Sequence, residues 1–208
     1  MSERLAGLLL FLPVPLVLWL FTRAPLGVAA SLGLGVVLMG THRLYARPWA
    51  LARAGRRCLW CGRAVSEGPG LTLAEPPGTT AWRACGEAHA SLASRVFAAA
   101  WRWRWGLWLG ILGGLVVFVA GAAVAAVFPS APFTFGDASA FLRLAVALAV
   151  TPFGWLATRG RPAGKDPVRV PFPVHVQALI GTYAVLWLFR LVGIAWFVTG
   201  LRQFVARP

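Results

Sequence analysis

Residues 106–128 read GLWLGILGGLVVFVAGAAVAAVF and contain no charged side chain. A helix of about 20 apolar residues crosses the ~30 Å hydrocarbon core of a bilayer, and this run is long enough to do so. The whole chain has the same character, because 59% of its 208 residues are hydrophobic and only 12% are charged. Soluble domains carry about 25% charged residues. The composition therefore excludes a soluble globular enzyme, and its hydrophobicity excludes a disordered basic tail.

Further apolar stretches flank this run, at residues 5–22, 25–41, 141–157 and about 173–200. Together they predict an all-α polytopic membrane protein with about five transmembrane helices. A cleaved signal peptide is the alternative for the first stretch, but the second apolar run directly behind it favours a retained anchor. The chain then divides into a transmembrane hairpin (1–42), an insert (43–105) and three further transmembrane helices (106–208).

The basic residues are distributed unevenly between the predicted loops. Fifteen of them lie at the N-terminus, in the insert and in the loop after the fourth stretch, against three on the opposite side. The positive-inside rule therefore places the N-terminus and the insert in the cytoplasm. The net charge of +14 belongs to these membrane-flanking loops. Arginine outnumbers lysine nineteen to one, which suggests a GC-rich bacterial genome and hence a multi-pass protein of the bacterial inner membrane.

The insert contains all the cysteines of the chain, in the pattern Cys58-x2-Cys61 followed by Cys85-x3-His89. Two thiolates on a tight turn can reach one ion, and Gly62 permits the backbone turn that follows them. Cys85 and His89 would share one face of a helix, about one turn apart. Three cysteines and one histidine suit tetrahedral zinc. We therefore predict one Zn²⁺ held by these four residues.

The residues between the two halves of this pattern predict two short strands, 71–73 and 79–82, around a turn at 75–78. A helix is expected to follow from Cys85 through Trp105 and to run straight into the third span. The insert thus combines a tight cysteine turn at residues 58–62, called the knuckle, with a hairpin and a helix start that bears ligands. This order resembles the treble-clef class of zinc modules, and the spacing is closest to the TRASH/YHS-like modules. The resemblance covers residues 57–97 and implies the same four ligands, with His89 where that pattern has its last cysteine.

Other chemistries for the cysteines are less favoured. A redox Cys-x-x-Cys pair would leave Cys85 and His89 unexplained. Three cysteines fall short of the usual four for an iron–sulfur cluster, and a c-type haem requires a Cys-x-x-Cys-His run that is absent from the sequence. A zinc hydrolase needs an open coordination position, whereas all four positions here are filled by protein.

A basic and aromatic run, Trp101-Arg102-Trp103-Arg104-Trp105, directly precedes the third span. At this location it predicts an interfacial belt, with indoles at the headgroups and arginines on anionic phosphates or on a partner. Nucleic-acid binding is the disfavoured alternative, and we expect none.

Arg190 interrupts the last apolar stretch. A helix that begins near Pro173 puts Arg190 about 25 Å along its axis, in the distal half of the bilayer or near the outer interface. No predicted span contains an acid, so we expect its acceptor to come from another chain, a bound lipid headgroup or an anionic cofactor. Backbone carbonyls of a broken helix are the alternative.

Small residues recur at four-residue spacing on two predicted spans, and such stripes let helix backbones approach closely. They are Gly27, Ser31 and Gly35 on the second span, and Gly106, Gly110 and Gly114 on the third. Packing inside this bundle is the simpler expectation, and packing against a partner subunit is the alternative.

The predicted spans contain no acidic residue and no Glu/His relay of the kind that transporters, pumps and intramembrane enzymes use. We therefore expect a non-enzymatic accessory or assembly subunit of a larger membrane complex, with zinc in a docking module and with lipids and other subunits as partners. A metal-handling protein that captures, senses or transports a soft metal is the alternative, although no cysteine and no methionine other than Met39 lies in the predicted spans. A thiol oxidoreductase is a third hypothesis.

Overall fold

The computed structural model describes residues 33, 36–37, 40–75, 78–128, 130, 133–163, 167–171 and 174–205, with the backbone only at 175 and 176. Nearly all of the predicted hairpin, with Gly27, Ser31 and Gly35, lies outside these residues. In chain order the described elements are a π-helical turn (His42–Ala46), α1 (Arg47–Ala54), β1 (Gly70–Glu75), β2 (Gly78–Arg83), α2 (Glu87–Arg102), α3 (Arg104–Trp108), a second π-helical turn (Leu109–Gly113), α4 (Gly114–Val127), α5 (Phe135–Leu156), a 3-10 turn (Ala157–Arg159), β3 (Val168–Arg169), α6 (His175–Ile180) and α7 (Thr182–Val205).

Three described helices are long and apolar enough to cross a membrane, and the protein is mostly helical. They are Arg104–Val127, which combines α3, the second π-helical turn and α4, then Phe135–Arg159, and finally Thr182–Val205. They correspond to the last three predicted spans.

The middle helix, α5, packs against both neighbours in antiparallel fashion. A Cβ added at Gly114 would lie 3.0 Å from Ala145, and Gly110 faces Ala149, one turn further along α5. Such close approach requires glycine and follows the predicted small-residue stripe. Gly106, the third member of that stripe, has no described atom within 4 Å of its Cβ position.

On its other side, α5 lies against glycines of α7. Gly193 meets Thr151, and Gly200 meets Leu144 and the backbone of Ala140. Positions rise along α7 as they fall along α5, so these two helices are antiparallel as well.

Two predicted helix boundaries are wrong. The fourth predicted span begins at Phe135 rather than near 141, because Thr134 and Asp137 form a capping box that starts α5 there. Asp137 is therefore an acid inside a span, in its first turn. The last span begins at Thr182 rather than near Pro173. Gly181 has a φ of 94° and interrupts the helical conformation between α6 and α7.

The expected continuous helix from Cys85 through Trp105 is also wrong. Its first half, α2, begins at Glu87 and ends at Arg102. Trp103, with φ −90° and ψ 7°, leaves the helical region and separates α2 from α3. The segment that contains Cys85 and His89 is therefore connected to the first candidate span by a bend.

The two predicted strands are confirmed as β1 and β2, which pair antiparallel with Leu73 opposite Thr80. A third strand, β3, comes from the loop between α5 and α7 and pairs parallel to β1, with Leu73 opposite Val168. The strand order is β2-β1-β3. The described residues within 47–102 and 157–181 together form one unit, called here the sheet module. Its buried core includes Leu73, Trp82 and Phe97.

The sheet module lies at one end of the helix bundle, where α3 begins, α5 ends and α7 begins. The opposite end carries the Thr134–Asp137 cap and a hydrogen bond at 3.1 Å from Arg143 to Gln203 near the end of α7. The described part of the basic insert and the described part of the loop before α5 thus lie at opposite ends of the bundle.

Candidate metal centre

The four predicted ligands come together. One donor atom from each of Cys58, Cys61, Cys85 and His89 lies within 4.8 Å of the other three. The Sγ atoms of Cys61 and Cys85 are 3.8 Å apart, and Cys58 Sγ lies 3.6 Å from Nδ1 of His89. A zinc tetrahedron with Zn–S bonds of about 2.3 Å has S···S edges of about 3.8 Å and S···N edges of about 3.6 Å. Two of the edges therefore have the dimensions of such a site.

The third short contact is a hydrogen bond between Cys85 Sγ and His89 Nδ1, with 2.8 Å between the two atoms. A bound ion would replace this hydrogen bond by two metal–ligand bonds and would widen the edge. Nδ1, rather than Nε2, is the histidine atom that faces the cluster.

The first half of the site is a tight knuckle. Gly62 N–H donates to the Cys58 carbonyl at 2.8 Å, and Cys58 N–H donates to the Arg63 carbonyl at 2.8 Å. Gly62 has a φ of +68°, in the left-handed region that favours glycine. The guanidinium of Arg57 donates to the Gly62 carbonyl at 2.7 Å. These bonds hold Cys58 and Cys61 on the inner side of one turn.

The second half of the site follows β2 directly. Cys85 precedes α2 rather than lying within it, so the expected pairing of Cys85 and His89 along one helix face is wrong. Gly86 is extended, with φ 174° and ψ 166°, and His89 lies in the first turn of α2. The Leu59 N–H donates to the carbonyl of Arg83 at 2.9 Å, which ties the knuckle to the end of β2.

The four ligands differ in exposure. Cys58 is fully buried, Cys61 and His89 are half-buried, and Cys85 is exposed. All three cysteines are free thiols. The site is therefore anchored on its inner side at Cys58 and reaches the surface of the sheet module at Cys85.

The electrostatic environment favours a cation. Burial raises the pKa of the Cys58 thiol, but hydrogen bonds to the thiolate outweigh burial and lower the pKa to about 6. The donors are the backbone N–H groups of Cys61, Cys85 and Trp60 and the side chain of His89. Desolvation and the neighbouring sulfurs of Cys58 and Cys61 raise the pKa of Cys85 to about 11. Thiolates this close repel one another, and a divalent cation among them would remove the repulsion.

The outer side of the knuckle contacts the start of α7, the last of the three candidate spans. The carbonyl of Leu59 accepts from Thr182 N–H at 3.0 Å and from Thr182 Oγ1 at 2.8 Å. The carbonyl of Trp60 accepts from Tyr183 N–H at 3.0 Å. Sequence reasoning missed this contact, because more than 100 residues separate the partners.

Glycines make the contact between knuckle and helix possible. A Cβ on Gly62 would lie 2.7 Å from the carbonyl carbon of Ile180, and a Cβ on Gly181 would lie 2.7 Å from the carbonyl carbon of Cys61. Both glycines have positive φ. The only sequence signal for this interface was the pair of glycines itself.

The predicted aromatic and basic run lies where α2 bends into α3. The guanidinium of Arg104 lies 4.4 Å from the ring centroid of Trp101 and 5.8 Å from that of Trp105. Arg102 and Trp103 are both exposed, and so is Trp105, at 66%. The run thus presents its rings and cations at the start of the span.

Arg190 lies nearer the sheet module than predicted, because α7 begins at Thr182. Its Nε donates to the carbonyl of Gly154 at 2.8 Å. The predicted distal position is therefore wrong, and one acceptor belongs to this chain itself, as the broken-helix alternative had it.

No protein-family model matches this chain, and neither a curated protein nor a solved structure matches it.

Proposed function

We propose that this protein is a non-enzymatic accessory or assembly subunit of a larger membrane complex, and that one structural Zn²⁺ organises its sheet module. Cys58, Cys61, Cys85 and His89 would hold the ion. They fill a tetrahedral set completely, as structural zinc sites do. The order of knuckle, hairpin and ligand-bearing helix start supports assignment to the treble-clef class.

The observation that carries the proposal is the contact between the knuckle and α7. The first N–H groups of a helix have no partner within the helix. Here the carbonyls of Leu59 and Trp60 accept hydrogen bonds from the first two N–H groups of α7, at 3.0 Å each. Zinc supplies the cross-link that closes the knuckle and so fixes these carbonyls. A site that positions a membrane helix has a structural task.

The described spans also fit an accessory role. Their sequences contain no cysteine and no methionine, so they offer no soft-ligand path for a metal. Their single acid, Asp137, accepts hydrogen bonds from the N–H and hydroxyl of Thr134 in the helix cap. The spans pack through glycine and alanine, and we propose that other subunits complete the assembly.

The membrane orientation is part of the same proposal. The sheet module carries most of the basic residues, and the positive-inside rule then puts it in the cytoplasm of a bacterial cell. The opposite end of the bundle, with the 128–134 loop, would face the outside.

A second candidate is metal handling, and the exposure of Cys85 favours it. An exposed thiolate ligand can be attacked by a competing thiol or chelator, which would permit exchange of the ion. The two candidates differ in the rate at which zinc leaves the native protein.

Elemental analysis and native mass spectrometry of the detergent-extracted protein test the proposal. We expect one zinc per chain, co-purifying subunits and no exchange with isotopically labelled zinc over hours. Cys58→Ser and His89→Ala should lose the zinc, His89→Cys should retain it, and His42→Ala serves as the matched control outside the cluster. Rapid zinc exchange in a protein that purifies alone would overturn the proposal in favour of metal handling.

A further inference from the structure

The guanidinium of Arg190 lies between two indole rings. Its carbon lies 4.5 Å from the ring centroid of Trp155 on α5 and 4.7 Å from that of Trp187 on α7. Both contacts are cation–π interactions of the kind that stabilise a desolvated arginine. The Nε donates to the Gly154 carbonyl at 2.8 Å, so the orientation of the guanidinium is fixed from three sides.

This arrangement lies near the module-side boundary of the span. Gly154 is two residues from the end of α5 at Leu156. Arg190 is eight residues into α7, about 12 Å from its start, and helical side chains lean toward the N-terminus of their helix. The side chain of Arg190 therefore extends back toward the sheet module, as a snorkelling arginine does at a membrane interface.

The surrounding surface is aromatic and open. Trp155 is 45% exposed and Trp187 is 39% exposed. Tyr183, one turn before Trp187, is also exposed, and its ring lies 6.4 Å from that of Trp187. Tryptophan and tyrosine concentrate at the headgroup level of membrane proteins. The guanidinium thus lies in an aromatic frame at the depth where lipid phosphates are found.

Arg190 has four further N–H groups, on its two terminal nitrogens. Among the described residues, no hydrogen-bond acceptor and no carboxylate reaches them. The one acid of the described spans, Asp137, lies seventeen residues before Gly154, about 25 Å away along α5. A guanidinium whose terminal N–H groups remain available is suited to bidentate binding of a phosphate.

We propose that Arg190, framed by Trp155 and Trp187, binds the phosphate of a phospholipid headgroup in the leaflet next to the sheet module, with preference for acidic phospholipids. The preference follows from the additional arginines at this end of the bundle, including Arg102, Arg104 and Arg159, which attract anionic headgroups. The zinc proposal is independent of this site, because none of its ligands takes part.

Native mass spectrometry of the full chain tests this site. The protein is released from nanodiscs that contain equal amounts of phosphatidylglycerol and phosphatidylcholine, and the retained lipids are counted. We expect wild-type protein to retain phosphatidylglycerol preferentially. Arg190→Gln should reduce that retention about tenfold, because one charge-assisted contact is removed. Arg190→Lys should retain an intermediate amount, since a lysine keeps the charge without the fork.

Arg56→Gln is the matched control, since it removes the same charge from an exposed position on the sheet module. Unchanged zinc content in each variant reports that the module remains folded. Equal retention of both lipids by wild-type protein would overturn the proposal, and that readout needs no variant. Undiminished phosphatidylglycerol in Arg190→Gln would overturn it as well. Loss of a co-purifying protein from Arg190→Gln would overturn the proposal too, since the acceptor would then be a partner chain.

Discussion

The carbonyl oxygen of Leu59 accepts two hydrogen bonds from Thr182, one from its N–H at 3.0 Å and one from its hydroxyl at 2.8 Å. Both residues have no exposed surface, and 123 positions separate them in the chain. Leu59 belongs to the knuckle that carries two cysteines of the metal centre, and Thr182 is the first residue of a helix long and apolar enough to cross a membrane. The metal centre and the bundle are thus joined by direct bonds rather than by a flexible linker.

Removing the hydroxyl of Thr182 should weaken this joint. In Thr182→Val the Leu59 carbonyl keeps its bond from the N–H, so no buried acceptor is left unpaired, and we expect a loss of about 1 kcal/mol. The measurement is thermal unfolding in detergent, followed by zinc release. Thr199→Val is the control, because the Thr199 hydroxyl is exposed and bonds only within α7, to the Ala195 carbonyl at 2.8 Å. An equal effect of both changes would contradict the prediction.

Zinc removal should loosen the start of α7 selectively. Without the ion, the knuckle no longer holds the carbonyls that accept from Thr182 and Tyr183, and the N–H groups of these residues should exchange faster with solvent. Hydrogen–deuterium exchange before and after chelation measures this effect. The amides of Asp137 and Ala138, capped by Thr134 at the opposite end of the bundle, are the internal control. Uniform loss of protection along α5 and α7 would instead indicate global unfolding.

The ligand set could be predicted from the sequence because its information is local. Cys58 and Cys61 occupy one turn, and Cys85 and His89 lie four positions apart, so short-range geometry brings each pair together. Strands β1 and β2 were likewise predictable from short β-favouring runs on both sides of a proline turn. No long-range knowledge was required for any of these features.

The remaining features depend on contacts that are distant in sequence. Strand β3 has two residues and gains its regularity only by pairing with β1. The start of α7 is set by Gly181 against the knuckle, and hydropathy alone extends the apolar stretch back to Pro173. This wrong helix start placed Arg190 at the end of the predicted span that is distant from the sheet module. The conformation of Gly181 thus determines how far Arg190 lies from the start of its helix.

Zinc affinity should rise with pH in the neutral and alkaline range. The pKa of Cys85 is raised to about 11, so its thiol is protonated at pH 7 in the metal-free protein, and zinc must displace that proton. One displaced proton gives about a tenfold gain in affinity per pH unit. Cys58, with its pKa lowered to about 6, is already a thiolate and adds no slope above that pH.

Competition with a chelator of known affinity between pH 7 and 9 measures this slope. Cys85→Ser should reduce the slope by about one proton, whereas Cys58→Ser should lower the affinity without changing the slope. A flat profile for the wild-type protein would contradict the assignment of the displaced proton to Cys85.

Glycine-to-alanine changes along the first described span should separate packed positions from open ones. In Gly110→Ala the new methyl group would collide with Ala149 and with the carbonyl of Ala145 on α5. The two helices must then move apart, and we expect the free energy of unfolding to fall by about 1–3 kcal/mol, the usual range for overpacking.

The same change at Gly106 meets no described atom within 4 Å. Alanine also has the higher helix propensity, so Gly106→Ala should be neutral or stabilising by up to about 1 kcal/mol. Thermal unfolding of the two variants in one detergent makes the comparison. Destabilisation by Gly106→Ala equal to that of Gly110→Ala would show that the Gly106 face is packed as well, against a subunit or a segment that lies outside the described residues.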